Sequence, residues 1–396
     1  MRAYGQFLRS PHVAVLLAAT TLTRLPFAIN GLAVLLFVRE LTGSFATAGL
    51  VTGALGVGTA VGAPLAARLV DRRGTRVLLP LALGHAIALL ALWALGSAGA
   101  PDIALILAAL AAGAAFPPSG SVLRSRWHEL VSHPDLVRTA YAFDSVMIEV
   151  SFVTGPLITA VIVALSGPEA ALVLSAVLVI SGTALFLARL PGGADTSEGH
   201  EAPRGFLGPL SQPAIRMIAL TTFPVGFCIG TVEVAVPAFS HEEGSAALAG
   251  ILLAVWSAAS GIGGLAFGAR RPSRSLAETF VVIAVVFPLA CLPLAGASSP
   301  LVMGALIALA GLPIAPLISS RNELVSHLAP RGAATESFTW LLTALLSGAA
   351  AGAAVGGALV DSDGWQAAVL VGTGVASLGA VIAVALRRTL RPSFGG

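Results

Sequence analysis

The sequence contains no lysine and few charged residues of any kind. Charged residues make up 10% of its 396 residues, whereas hydrophobic residues make up 56%. A soluble domain carries about 25% charged residues, and so few charges could not cover the surface of a soluble chain of this length. The mean hydropathy is +0.92. The composition therefore predicts an all-α membrane protein that crosses the bilayer many times.

Residue patterns typical of enzymes and of nucleic-acid-binding proteins are absent as well. The two cysteines, Cys228 and Cys291, lie inside apolar stretches and give neither a disulfide framework nor a metal-ligand spacing. A phosphate-binding Gly-Lys-Ser/Thr loop is excluded because there is no lysine. No nucleophile elbow and no long basic run with interleaved aromatic residues occurs. The sequence therefore predicts no enzyme activity, no cofactor, no metal and no nucleic-acid partner.

Long apolar segments account for most of the chain. A membrane-spanning helix needs about 20 mostly apolar residues, and turn signals divide the chain into twelve such segments. The predicted spans are 13–38, 46–69, 77–97, 102–123, 139–165, 168–189, 214–239, 246–268, 276–297, 300–319, 333–360 and 364–386.

The distribution of arginine predicts the orientation of these spans. With the N-terminus in the cytoplasm, 20 of the 22 arginines lie on the cytoplasmic side, Arg39 lies outside, and Arg24 lies within the first span. Short cytoplasmic loops carry such an excess of basic residues. The predicted outer loops carry acidic residues instead, namely Glu242, Glu243, Asp361 and Asp363. We therefore expect both termini in the cytoplasm.

A long polar break divides the predicted helices six and six. It predicts a flexible cytoplasmic linker at 191–212, between an N-terminal six-helix bundle at 1–190 and a C-terminal six-helix bundle at 213–396. The segment Glu129-Leu-Val-Ser-His133 recurs as Glu323-Leu-Val-Ser-His327, and each copy follows a proline-broken helix. An even number of spans in each half predicts parallel repeats related by an axis along the membrane normal.

A short basic turn lies between the second and third predicted spans, at residues 67–76. Its pattern resembles the signature loop of the major facilitator superfamily: a small residue, three positions, Asp, Arg, any residue, Gly and then basic residues. The matching residues are Ala67, Leu69, Asp71, Arg72, Gly74 and Arg76, and Thr75 stands where a basic residue is usual. Together with the topology and the central linker, this loop makes the chain resemble that superfamily over essentially its whole length.

The resemblance implies a secondary transporter built from two pseudo-symmetric six-helix bundles. In that family the first, fourth, seventh and tenth helices line a central cavity that opens to each side in turn. The loop residues that the resemblance assigns to gating are Asp71, Arg72, Gly74 and Arg76. Gly155 and Pro156 in the fifth span resemble the Gly-Pro element of drug:proton antiporters, although Leu157-Ile-Thr-Ala160 replaces the paired glycines that follow it.

Ionisable side chains within the predicted spans are few, and each needs a partner or a function in the hydrocarbon region. Arg24 in the first span and Glu149 in the fifth lie at matching depths of about 16 Å, which allows an ion pair. Glu149 is then either a proton site tuned by Arg24 or half of a static pair. Glu233 is either a proton or cation site or an acid reaching the outer interface. Asp144 is either a third titrating group or a contact of the basic turn.

Polar residues in the first and third spans complete the candidate site. Asn30 and Thr23 are predicted to line the cavity, although a single hydroxyl in a membrane helix often bonds to its own backbone. His85 in the third span is expected to be packed rather than to relay protons. Small residues in the eleventh span predict close approach of neighbouring helices, and these are Gly352, Gly356 and Gly357.

These features predict a proton-coupled exporter of a small lipophilic or amphipathic compound, working as a monomer in the bacterial inner membrane. Its partners would be the substrate, protons and lipid. A proton-linked importer or facilitator of a small metabolite stays open as an alternative. From a different class, a non-transporting sensor or a membrane-embedded enzyme also stays open. A sugar substrate is disfavoured because the predicted helices contain almost no Asn or Gln.

Overall fold

A computed structural model describes residues 11–126, 130, 134–190, 210, 212–269, 275–328, 334–385 and 387. Within these residues every regular element is helical, which confirms the all-α prediction. The helices of the first half are α1 (Pro11–Thr42), α2 (Phe45–Arg73), α3 (Leu78–Ser97), α4 (Asp102–Ala114), α5 (Ser119–Ser125), α6 (Pro134–Ser166) and α7 (Pro168–Arg189). Those of the second half are α8 (Pro213–Glu242), α9 (Ala246–Ala269), α10 (Leu276–Cys291), α11 (Pro300–Gly311), α12 (Ile314–Leu328), α13 (Ala334–Asp363) and α14 (Trp365–Ala385).

Eleven helical segments of the described chain are long and apolar enough to cross a membrane. The remaining predicted span corresponds to α6, of which the apolar part described is the shorter stretch Val150–Ser166. The structure therefore supports a multi-pass membrane protein, while the count of twelve spans and the orientation of the termini stay predictions. The predicted linker lies almost wholly outside the described residues, and the division into two domains likewise stays a prediction.

Proline interrupts two of the predicted spans, as the sequence indicates. The fourth span is divided into α4 and α5 at the Phe116-Pro117-Pro118 segment, and the tenth into α11 and α12 next to Pro313. Proline has no N–H to give to the helix and its ring crowds the preceding turn. The tenth span differs from the prediction at its far end, because α12 continues past residue 319 to Leu328. Arg321 is therefore a buried helical residue and not part of a cytoplasmic loop.

Helices pack both within each half and between the halves. In the first half α1 contacts α7 and α2 contacts α4, and in the second half α8 contacts α13 and α14. The most extensive contacts between the halves are those of α2 with α13 and of α6 with α9. A core of buried aliphatic and aromatic side chains extends through both halves.

Small residues bring α2 and α13 into backbone contact near the start of α2. A Cβ atom at Gly49 would clash with the carbonyl oxygen of Ala353, and one at Gly53 would lie 2.8 Å from that of Ala350. Gly357 of α13 packs in the same way against Phe45. We call this contact the outer seam, because the sequence places the start of α2 on the outer side of the membrane. The predicted close approach of the glycines of α13 is confirmed.

Candidate functional site

The middle of α1 presents one face to open space. Arg24, Phe27 and Gly31 follow one another at spacings of three and four residues, which places them on one side of a helix. A Cβ atom built at Gly31 meets no atom within 4 Å, and Phe27 is 36% exposed. This face is the candidate wall of a cavity.

Three phenylalanine side chains form a cluster on that wall. The ring of Phe27 lies 5.8 Å from that of Phe116 and 6.0 Å from that of Phe152, both in edge-to-face geometry. Phe116 comes from the break between α4 and α5, and Phe152, on α6, is 39% exposed. Such contacts are favoured between aromatic rings. The cluster was not predicted from the sequence, because its members come from three separate elements and no regular sequence spacing relates them.

The guanidinium group of Arg24 lies against the first turn of α5. A Cβ atom at Gly120 would be 2.6 Å from the Nε atom of Arg24. A side chain at this position would require the guanidinium to shift. The side chains of Glu149 and Asp144 lie outside the described residues, so the predicted Arg24–Glu149 pair stays a prediction.

Glu233 occupies an exposed position on α8 although its neighbours Val232 and Val234 are buried. Pro224, nine residues earlier, packs against Gly379 of α14. Nine residues correspond to about 180° of helical rotation. Glu233 therefore lies on the side of α8 that faces away from α14, at an exposed position within a segment long enough to cross the membrane.

Asn30 belongs to a buried polar network inside the first half of the chain. Its amide nitrogen lies 3.1 Å from Nε2 of His85, and its carbonyl oxygen accepts a 2.5 Å hydrogen bond from the hydroxyl of Ser175. Nδ1 of His85 lies 2.7 Å from the carbonyl oxygen of Ala112. If Nδ1 donates to that carbonyl, Nε2 accepts from Asn30 and the imidazole is neutral. The network joins α1, α3, α4 and α7, and the expected packing role of His85 agrees with this placement.

Asn30 and Thr23 are both buried among helices of the first half, and the cavity role predicted for them stays a prediction. Asn30 is 3% exposed and Thr23 is 1% exposed. The hydroxyl of Thr23 donates to the carbonyl oxygen of Thr20, and Gly182 of α7 packs against its backbone. Both residues contact α7, through Ser175 for Asn30 and through Gly182 for Thr23.

Gly155 and Pro156 lie where α6 contacts two other helices. A Cβ atom at Gly155 would lie 2.5 Å from Cβ of Ala28 on α1. The carbonyl oxygen of Pro156 lies against Gly250 of α9, in the second half of the chain. This pair therefore lies at a contact between the halves, and its part in antiport stays a prediction.

The basic turn after α2 is built around Gly74. This residue has φ of 76°, its N–H donates to the carbonyl oxygen of Val70, and it ends α2. A positive φ is accessible to glycine at little cost. Arg73 and Arg76 are exposed, whereas the side chains of Asp71 and Arg72 lie outside the described residues. The gating role of the loop stays a prediction.

Arg321 is a buried polar residue of α12, although the sequence analysis predicted it in a cytoplasmic loop. Its guanidinium, 8% exposed, donates from Nε and Nη2 to the side-chain oxygen of Asn322 at 3.3 and 3.0 Å. It lines a narrow crevice with Thr221 and Thr222 of α8 and Phe280 of α10. The two threonine hydroxyls donate to the carbonyl oxygen of Ile218, which leaves their oxygen lone pairs free to accept.

Comparison with known proteins identifies relatives over most of the chain. The family model of the Major Facilitator Superfamily matches residues 16–344. An uncharacterized MFS-type transporter of Sinorhizobium fredii, y4rN, is 29% identical over 280 residues, which cover 67% of this chain and 68% of that protein.

Solved structures of several transporters share the fold. The nucleoside transporter NupG is 16% identical, with a TM-score of 0.72 over 94% of this chain and 98% of its own. A bacterial homologue of the human lysosomal transporter Spinster, in an inward-facing and unoccupied conformation, is 16% identical, with a TM-score of 0.72 over 96% and 97% of the two chains. A bacterial homologue of the iron transporter ferroportin, in an inward-facing state, is 14% identical, with a TM-score of 0.73 over 94% and 98%. At these identities the similarity shows the fold alone.

Proposed function

The chain belongs to the major facilitator superfamily, and on that premise we propose that it exports a small lipophilic or amphipathic compound in exchange for protons. Its family and its structural neighbours are membrane transporters with small-molecule substrates. What we propose beyond family membership is the direction of transport, the coupling ion and the class of substrate.

The proposal of proton coupling rests on the exposed position of Glu233 within a predicted span. An ionisable group within the membrane region is costly unless it has a partner or a function. Glu233 is exposed on a face of α8 that does not pack against α14. Such a carboxylate can hold a proton or attract a cationic group. If the two compete for Glu233, binding of one releases the other, and the two fluxes become coupled.

The phenylalanine cluster supports a lipophilic substrate. Phe27 and Phe152 expose part of their rings, and exposed aromatic faces suit aromatic and cationic ligands. Phe27 lies 15 residues before Thr42 at the end of α1, and Glu233 lies nine before Glu242 at the end of α8. At 1.5 Å per residue their depths differ by about 9 Å. A molecule of moderate size can span that difference in depth.

Other residues take supporting parts in the proposal. Glu149 and Asp144 are further candidates for proton binding, with Arg24 tuning Glu149. The loop with Asp71 contributes to gating on the cytoplasmic side. The two six-helix bundles at 1–190 and 213–396 would rock about the cavity as a monomer in the inner membrane of a bacterium.

Proton movement driven by substrate is the measurement that tests this function. The purified protein is placed in proteoliposomes with a trapped pH dye, and lipophilic cations and neutral amphipaths are added in turn. We expect at least one lipophilic cation to move protons in the opposite direction. Glu233→Gln should abolish this proton movement, because the amide cannot take up or release a proton.

Glu243→Gln is the matched control, since Glu243 lies exposed just past the end of the same helix. It should leave the exchange unchanged. Proton exchange that survives in Glu233→Gln would remove Glu233 from the mechanism and make Glu149→Gln the next variant. Solute equilibration without any proton movement in the wild type would make the protein a facilitator.

A further inference from the structure

The carboxylate of Asp361 joins the two halves of the molecule at the predicted outer side. Asp361 lies in the last turn of α13 and accepts three hydrogen bonds from the start of α2. These come from the hydroxyl of Ser44 at 2.6 Å, the N–H of Phe45 at 2.9 Å and the N–H of Ala46 at 2.8 Å. A side chain of the second half therefore caps a helix of the first.

The start of α2 has a cap of its own, so Asp361 is not needed to begin the helix. The N–H of Thr47 donates to the hydroxyl oxygen of Ser44. The first N–H groups of a helix have no partner within it and carry partial positive charge. Asp361 satisfies two of them and adds a favourable charge. When the halves separate, water can bond these groups and the Ser44 cap remains.

A second layer of contacts lies beside this cap. The guanidinium of Arg39, near the end of α1, lies 4.8 Å from the ring centre of Phe45. Its Nη2 atom is 3.3 Å from Nε2 of His241, near the end of α8. The rings of Phe45 and His241 meet edge to face at 6.2 Å. The positive charge of Arg39 also attracts the Asp361 carboxylate.

We propose that Asp361 is a reversible latch, which caps α2 when the outer side is closed and releases it when the outer side opens. The outer seam of small residues lets α2 and α13 approach closely, but backbone contacts between small residues offer little directional attraction. The charged cap supplies a contact that exists only in the closed arrangement. It therefore sets the balance between the closed and open outer side, whichever substrate or ion is carried.

Distance measurement between the outer ends of the two halves tests the latch. Spin labels are attached at Glu40→Cys and Glu243→Cys, both at exposed positions, in a protein whose native cysteines are replaced by alanine. Losing a helix cap costs about 0.5–2 kcal/mol, which corresponds to a change of about 2- to 30-fold in an equilibrium. Asp361→Ala should raise the ratio of long to short distances by that factor.

Asp361→Asn separates charge from hydrogen bonding and protects the test against a misfolded alanine variant. Its side-chain oxygen can still cap α2 without the charge, so its ratio should lie between those of the wild type and Asp361→Ala. Asp363→Ala is the matched control. Asp363 lies two residues further along and accepts a hydrogen bond from Ser362. Unchanged distances in both Asp361 variants, or an equal shift in Asp363→Ala, would overturn the latch.

No substrate is needed for this measurement, so its result does not depend on the proposed transport reaction. If Glu233→Gln loses proton exchange but keeps the outer distances of the wild type, the latch proposal is unaffected. Altered outer distances in the Asp361 variants with no proton exchange in the wild type would support the latch and reject the proton coupling.

Discussion

The network of Asn30, His85 and Ser175 predicts a specific loss of stability when its members are replaced. A hydrogen bond between membrane helices contributes about 0.6–1.7 kcal/mol. Asn30 has two such contacts, to His85 and to Ser175. Asn30→Leu, which keeps the branched arrangement of side-chain heavy atoms, should therefore lower the free energy of unfolding by about 1–3 kcal/mol.

Ser175 and Ser181 offer a matched pair on one helix. The hydroxyl of Ser175 donates to Asn30 of another helix, whereas the hydroxyl of Ser181 donates to the carbonyl oxygen of Val177 in its own helix. Ser175→Ala should cost about 0.6–1.7 kcal/mol. Ser181→Ala should cost close to nothing, because the backbone carbonyl keeps its helical hydrogen bond.

Reversible unfolding in mixed detergent micelles, followed by the loss of helical circular dichroism, measures these differences. Asn30→Leu with Ser175→Ala should cost less than the sum of the two single variants by about 0.6–1.7 kcal/mol, because each single variant already removes their shared bond. Equal losses for Ser175→Ala and Ser181→Ala, or full additivity of the double variant, would refute the network as a source of stability.

Two further predictions concern glycine packing and the aromatic cluster. A Cβ atom at Gly113 would clash with the carbonyl oxygen of Leu55, so Gly113→Ala should destabilise the protein by about 1–3 kcal/mol. Gly31→Ala, which meets open space, should be tolerated, and equal thermal unfolding of the two variants would contradict this. Phe27→Ala should weaken the apparent affinity for an aromatic lipophilic cation by about 2- to 12-fold, since one aromatic contact contributes about 0.5–1.5 kcal/mol. Trp93→Ala, which removes an exposed aromatic side chain of α3, should leave that affinity unchanged in a transport assay.

Helix positions, proline breaks and close glycine contacts could be predicted from the sequence because each depends on local chemistry. Pro117, Pro118 and Pro313 remove backbone donors wherever they occur. Gly352 and Gly357 allow close approach whichever helix comes near. The structure adds the identity of the neighbours, which are α8 for Gly352 and α2 for Gly357.

The direction in which a polar side chain points could not be predicted in the same way. A membrane helix is apolar on all sides, so no amphipathic stripe marks its buried face. Asn30 and Phe27 are three residues apart on α1, yet Asn30 is buried and Phe27 is partly exposed. For Asp361, the sequence predicted only an acidic residue in an outer loop. Its role as a cap depends on Phe45 and Ala46, more than 300 positions away.

Helix α2 divides its contacts between a partner in its own half and a partner in the other. Cβ atoms at Gly58 and Gly62 would clash with α4 in the first half, whereas those at Gly49 and Gly53 would clash with α13 in the second. The two sets of glycines lie on different stretches of the helix. The contact with α4 therefore need not change when the contact with α13 opens.

Helix α13 repeats this division, and the repetition separates two kinds of mutational effect. Gly348 and Gly352 pack against α8 within the second half, and Gly357 packs against α2 across the outer seam. Substitutions in the first set should lower stability in every conformation. Substitutions at the seam, or at Asp361 beside it, should instead change the proportion of molecules closed at the outer side. Thermal unfolding reports the first effect and distances across the outer ends report the second, so one pair of measurements on each variant distinguishes them.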